Sequence, residues 1–268
     1  MKLVAIARAP ADPDDAARKL AEASGLALAE ARMRLAREPP ALLARLEPDR
    51  ADALVASLRK AGLAALALAD RAPTDRDRTV AHAFSLEPAG LDCTPRFGEP
   101  LRIAWGEVVA VLRGLRATRS ETEKTVVSKR FSVGTAVATG GLAMTRKESR
   151  TERSTAESTE QVILVYARDG RVAALAEREL DFSCLGPGMQ PSSTANMVEL
   201  ARRLRERTPA AFHDDRLLRL GRRPLPFVAG GESTSRTATT TATRADTSGA
   251  LDVLAEAMRQ ALAAGLLP

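Results

Sequence analysis

The stretch EQVILVYARDGRVAALAE, Glu160 to Glu177, decides how the middle of this chain folds. Val162 to Tyr166 is an unbroken apolar run of strand length, and Asp169-Gly170 is a strong two-residue hairpin signal. From Val172 towards Phe182 the chain supplies one or two further strands. Upstream, TVAHAFSLEPAGLDCTP alternates and turns at Pro88-Ala89-Gly90, which predicts another hairpin. EPLRIAWGEVVAVLRGL follows, with an Ile103-x-Trp105 step and a dense strand through Val108, Val109, Val111 and Leu112. Downstream, PSSTANMVELARRLRERTP reads as a helix. A Ser or Thr among residues 192–194 caps it, and Met197, Leu200, Ala201 and Leu204 form its inner face. Several antiparallel strands closed by one helix imply a small barrel or sandwich over 78–225.

Residues 1–70 carry a different rhythm. KLVAIAR is a short strand. Asp12 can cap a helix that Pro13 opens, Asp14 and Asp15 suit its positive end, and Gly25 stops it. ALAEARMRLAREP is a second helix, ALLARL a strand, EPDRADALVASLRKAG a third helix, and LAALALA a last strand. The order β-α-α-β-α-β describes a small open αβ sandwich. The polar segment RAPTDRDR, Arg71 to Arg78, links the two units. The chain as a whole is therefore α+β.

Two resemblances follow. The segment from Glu22 to Leu68, with Gly25-Leu26, Leu28-x-Glu30-Ala31, a Pro pair and a helix closing on Ala61-Gly62, resembles the C-terminal domain of the bacterial ribosomal stalk protein and its adaptor-like relatives. That family recruits protein partners on its first two helices, which implies a contact surface at Arg18, Lys19, Arg32 and Arg34. The rest of the chain lacks stalk-like dimerisation helices, so no ribosomal role is implied. The segments GLDCTP, IAWGEVVAVLRG and YARDGRVAAL, with the helix that follows, resemble a bacterial pleckstrin-homology-like domain. Such domains are scaffolds. The loop that binds inositol phosphates in some of them is EPAG here, without Lys or Arg, so protein ligands are expected instead.

The interval 116–160 departs from that pattern, being far longer than an ordinary hairpin loop of about two to five residues. It sets an apolar island, FSVGTAVATGGLAMT (Phe131 to Thr145), between two polar flanks of similar length and composition. The flanks can pair as one long hairpin, or the interval can be a disordered insertion. Phe131, Val133, Val137, Leu142 and Met144 are then a candidate partner-binding tip, with Lys129, Arg130, Arg146 and Lys147 beside it. Residues 228–248 are Gly, Ser, Thr and Ala with little apolar bulk, and read as a flexible linker. Residues 249–266 read as an amphipathic helix with Leu251, Leu254, Met258 and Leu262 on its apolar face, free to dock in its own chain or in another protein's groove.

Composition bounds the chemistry. The 268 residues carry Lys+Arg 40 against Asp+Glu 34, a net charge of +6, and the opposite signs interleave along most of the chain. Aromatics are 3%, too few for base stacking, so nucleic acid is disfavoured. Cys93 and Cys184 stand far apart and outside any metal-binding spacing. The N-terminus turns acidic too early for a signal peptide, so a cytoplasmic location is expected. His82 and His213 lack ligand partners at metal spacing, no Walker or nucleophile-elbow motif is present, and no cofactor or small-molecule substrate is indicated. The expectation is a non-enzymatic cytoplasmic adaptor or scaffold whose partners are proteins, a second copy of itself among them. Two alternatives stand beside it. One is a peripheral protein that inserts residues 131–145 into anionic lipid. The other is a hydrolase using His213 with Asp214 or Asp215.

Overall fold

The computed structural model describes residues 1–71, 73–131, 145–221, 225–227, 231–236, 240–246 and 248–267. The first unit comprises 1–117, 159–230 and 247–268, and the second comprises 118–158 and 231–246.

The N-terminal elements come in the expected order: β1 (Lys2–Ile6), α1 (Pro13–Ser24), α2 (Leu28–Leu35), β2 (Ala41–Leu46), α3 (Pro48–Lys60) and β3 (Ala65–Ala69). Asp12 caps α1 by accepting from the Asp14 and Asp15 amides at 3.0 Å, and Gly25 ends it at φ 71. The strands form an antiparallel sheet in the order β2-β1-β3. Strand alternation gives β1 two apolar faces. Val4 and Ile6 pack with Ala17 and Leu20 of α1 and with Leu54 and Leu58 of α3. Leu3 and Ala5 turn the other way, with Leu42, Leu66 and Leu68.

A larger sheet follows: β4 (Thr79–Leu86), β5 (Gly90–Pro95), β6 (Leu101–Ala104), β7 (Val108–Phe131), β8 (Thr145–Ala167), β9 (Val172–Ala176) and β10 (Phe212–Asp214). In the first unit the path is β6-β5-β4-β9-β8-β7, with β10 parallel to β7. β4 and β9 are also parallel. Of the barrel or sandwich expected, a closed barrel is not formed: β6 and β7 are not hydrogen-bonded neighbours among the described residues. β6 is four residues long and runs through a 3-10 turn, Trp105–Glu107, directly into β7. Helix α4 (Ser193–Arg207, capped by Ser192) covers one apolar face of the sheet instead. Its Met197, Leu200 and Leu204 are fully buried against Ile103, Val111, Ile163 and Val165.

β8 is buried on both faces. Ile163 and Val165 meet α4, whereas Val162, Leu164 and Tyr166 face away from it. What covers that second face is the C-terminal helix α6 (Ser248–Ala263); the short helix α5 (Leu217–Leu220) lies beside it. One apolar cluster joins Leu3, Leu66 and Leu68 of the small sheet, Leu251, Leu254 and Met258 of α6, and Leu112, Leu164 and Ala174 of the large sheet. The first unit is thus layered: α1–α3, the small sheet, α6, the large sheet, α4. The αβ module and the strand-rich module, expected as separate domains, share this core.

The amphipathic reading of α6 needs correction. Ala250, Leu251, Val253, Leu254, Ala255, Ala257, Met258 and Ala261 are all buried, because both sides of the helix meet a sheet. Alanines keep it thin enough to fit. The strand below makes room as well: a Cβ on Gly114 of β7 would lie 2.2 Å from Leu251 Cδ1.

In the second unit β11 (Gly231–Arg236) and β12 (Thr240–Asp246) pair antiparallel, and β12 pairs with β7 from Thr118↔Asp246 to Lys124↔Thr240. The flexible linker expected at 228–248 therefore contains two strands. Its Thr content favours extended backbone, and the polar half of β7 presents a row of amides and carbonyls to pair with.

Two substitutions check the central layer. Leu254→Ala should lower the unfolding free energy by about 2–5 kcal/mol in urea titration, as a cavity in a close-packed core does. Gly114→Ala should lower it by about 1–3 kcal/mol through overpacking against Leu251.

Candidate functional site

A groove opens on the αβ module between the end of α1, β2 and α3, with a volume of about 420 Å³. Helix α3 turns Ala51, Leu54, Val55 and Leu58 into the core, which leaves the small side chains of Ala53 and Ser57 to form one wall. Ala23, Leu26, Ala44 and Leu46 add apolar lining, and Leu54 reaches it from the core side. Three arginines, Arg34, Arg45 and Arg50, also line the groove, and no carboxylate does among the described residues.

Two of these arginines are held in place. Arg34 bonds Glu30 at 2.6 Å and donates to the Leu43 carbonyl. Arg45 donates to Asp70 through Nε at 3.0 Å. Arg50, in the first turn of α3, makes no ion pair among the described residues.

A residue from far along the chain completes the wall of the groove. Phe227 lines it, with the Arg34 guanidinium 5.2 Å from the ring centroid, within cation–π range. Phe227 is 37% exposed and holds φ 69, in the left-handed region where an aromatic residue is rarely found. Such a conformation costs on the order of 1–3 kcal/mol and persists only where surrounding contacts favour it.

The basic surface expected on α1 and α2 is locally neutralised. Arg18 and Lys19 pair with Asp15 at 3.5 and 2.7 Å, and Arg32 pairs with Asp14 at 3.0 Å. Lys19 also donates to the Ala61 carbonyl. Of the four expected residues only Arg34 belongs to the groove. Leu251, Leu254 and Met258, expected on a partner-binding helix face, are core residues, with Leu262 packed partly buried at their edge. Val133, Val137, Leu142 and Met144 lie outside the described residues, and Phe131 is the last residue of β7.

The other chemistry-bearing residues have structural partners. His213 Nε2 lies 2.9 Å from the Thr208 carbonyl oxygen and 3.1 Å from its hydroxyl. The neighbouring Asp214 accepts from Arg216, through the backbone amide at 2.8 Å and Nε at 2.7 Å. His213 and Asp214 are thus not hydrogen-bonded as a base and its orienting carboxylate. Burial pushes the Cys93 thiol up to about 12, with Asp92 adding to the rise, so it is held protonated. Among the described residues no group of three or more His, Cys, Asp or Glu is placed to hold a metal ion.

A second constellation was not visible in the sequence. Asp75 and Arg78 of the linker, Arg116 of β7 and Asp252 of α6 form an ion-pair network, buried at Arg78 and Asp252 and exposed at Asp75. Arg78 Nη2 donates to Asp252 at 2.8 Å and also pairs with Asp75 at 2.7 Å. Arg116 binds Asp75 through both terminal nitrogens, at 3.1 and 2.6 Å. The Arg78 side chain is 3% exposed and that of Asp252 9%. Burial raises the Asp252 carboxyl above its ordinary value against the pull of Arg78 and Arg116. At Asp75 burial acts in the same direction, but Arg116 and Arg78 outweigh it and leave the carboxyl below its ordinary value. The network ties Asp252, in the first part of α6, to the linker and to β7. An open hollow of about 390 Å³, lined by Arg71, Thr74, Asp75, Arg76, Arg116 and Asp252, adjoins it.

Removing one partner leaves a buried charge uncompensated, whereas replacing both with apolar groups removes the desolvation penalty too. Arg78→Met alone should lower the unfolding free energy by about 3–5 kcal/mol, and the Arg78→Met/Asp252→Leu pair by clearly less, in urea titrations run as a double-mutant cycle. Comparison with known proteins returns no match: no family model, no curated protein and no solved structure is similar to this chain.

Proposed function

We propose that the protein is an adaptor that acts by protein–protein contact, with the groove between α1, β2 and α3 as its principal docking site. One observation carries this reading: an open groove of about 420 Å³, walled by small and apolar side chains of α1, β2 and α3 and by Phe227 from a distant part of the sequence, adjoins three arginines. A concave site with an apolar lining and a few fixed polar groups is the form that side-chain recognition takes. The β-α-α-β-α-β order with its β2-β1-β3 sheet supports the likeness to stalk-type and adaptor-type modules, which use this unit to recruit proteins.

In the same reading the larger sheet with α4 is a pleckstrin-homology-like scaffold in an open form. Supporting it are the β4–β5 hairpin, the late β8–β9 hairpin about Asp169-Gly170, and a single amphipathic helix over one face. Its role is to hold the αβ module, and the terminal helix acts as an internal strut instead of a second docking element.

The test is a comparison of proteins captured by the intact chain and by an Ala53→Trp variant, whose indole fills the groove from an exposed position of α3. The proposal expects at least one partner to disappear with the indole while the unfolding midpoint is unchanged. Identical partner sets would contradict it.

A further inference from the structure

We propose that β11 pairs antiparallel with β11 of a second copy of this chain, about a two-fold axis at Thr234, and that the protein dimerises by this strand. The interface uses no residue of the groove, so the docking reading above stands or falls apart from it.

Two observations carry the proposal. The first is that β11 is a regular edge left open. It ends the path of the large sheet, and among the described residues it pairs on one side alone. Its six residues run along β12 in a single register, from Gly231↔Asp246 to Arg236↔Thr241. β12 runs along β7 in the same unbroken way. The register shifts that interrupt β1–β2 and β4–β5 are absent from both pairings. Edge strands are ordinarily blunted by a bulge, a Pro, a Lys or a very short length. β11 has a normal strand length, and Gly231–Arg236 contains neither Pro nor Lys. Its outer backbone amides and carbonyls are therefore in place for another strand, and in strand addition the main chain supplies the affinity.

The second observation is that the order of residues along β11 is its own complement. The strand reads Glu232-Ser233-Thr234-Ser235-Arg236. Laid antiparallel on a copy with Thr234 opposite Thr234, it sets Glu232 opposite Arg236, Ser233 opposite Ser235, and Arg236 opposite Glu232. Opposite charges and hydroxyl pairs directly across a ladder favour pairing, whereas like charges oppose it. The competing arrangements lose on this ground. Parallel pairing in register sets Glu232 opposite Glu232 and Arg236 opposite Arg236. Sliding the antiparallel pair by four residues sets Arg236 opposite Arg236 in one direction and Glu232 opposite Glu232 in the other. Sliding it by two leaves neither charge with its opposite. One register therefore stands apart, and it is the self-complementary one that a two-fold axis generates.

The test is sedimentation velocity on the full chain over about two decades of concentration. The intact chain should pass from monomer to dimer. Glu232→Arg gathers four positive residues about the axis, and Arg236→Glu gathers four negative ones. Each alone should raise the dissociation constant of the dimer by about ten-fold or more, because both cross pairs turn from attraction to repulsion. Mixed in equal amounts, the two variants restore opposite charges at both pairs. They should form a mixed dimer within a few-fold of the intact chain's affinity, and the double variant Glu232→Arg/Arg236→Glu should dimerise by itself. A variant that only misfolds is not rescued by its counterpart, so the mixture separates lost pairing from lost folding. An intact chain that stays monomeric throughout would overturn the second copy as occupant of the edge. A dimer that neither single variant weakens, or a mixture no tighter than each variant alone, would overturn β11 as the interface.

Discussion

The burial of helix α6 between two sheets is the constraint on which the rest of the structure depends. Each sheet of the first unit has two apolar faces, and the helices of its own module cover one of them, with only the single turn of α5 reaching the second face of the large sheet. α1 and α3 cover one face of the small sheet, and α4 covers one face of the large sheet. Without α6, Leu3, Leu66 and Leu68 on one side and Val162, Leu164 and Ala174 on the other would face water together. A single helix from the end of the chain satisfies both, and so the two modules become one body. The C-terminus is therefore the part of the sequence that completes the core.

This arrangement explains the residues of α6. A helix buried on both sides has no room for the usual charged face, which is why alanine is so frequent along it. Its polar residues must find partners. Glu256 is bound by Arg259 and Gln260, whereas Asp252 meets Arg78 and lies near Arg116. The second pair is the more costly to break, since its Arg78 and Asp252 side chains are nearly buried. Such a network gives little net stability, but it fixes register: α6 cannot slide by a turn without stranding Asp252 among apolar side chains. The linker between modules, which supplies Asp75 and Arg78, is thereby fastened to the helix that joins them.

Much of the fold could be read locally. The apolar run Val162–Tyr166 and the Asp169-Gly170 turn locate β8 and β9, and the Asp12-Pro13 start and Gly25 stop locate α1, because those signals depend on near neighbours. What was not legible depends on distant ones. The spacing of Leu251, Leu254 and Met258 is the same whether a helix has one apolar neighbour or two, so burial on both sides could not be read from it. The Thr-rich stretch before α6 carries no apolar signal, and its pairing with β7 is set by a partner strand more than a hundred residues away. The groove was half legible. Arg34 stood out, but nothing near Phe227 in sequence points to Arg34, and no motif sets Arg50 apart in the first turn of α3. Arg18, Lys19 and Arg32 were prominent for their charge, yet Asp14 and Asp15, read only as helix-start residues, were their partners.

Hydrogen exchange of the α6 backbone amides tests the central layer most directly. If α6 is the shared strut of both sheets, the amides of residues 251–261 exchange only through global unfolding, in the slowest class together with those of β1 and β8. Exchange of α6 orders of magnitude faster than β1 and β8 would show a helix that leaves while both sheets stay folded, and would contradict the account.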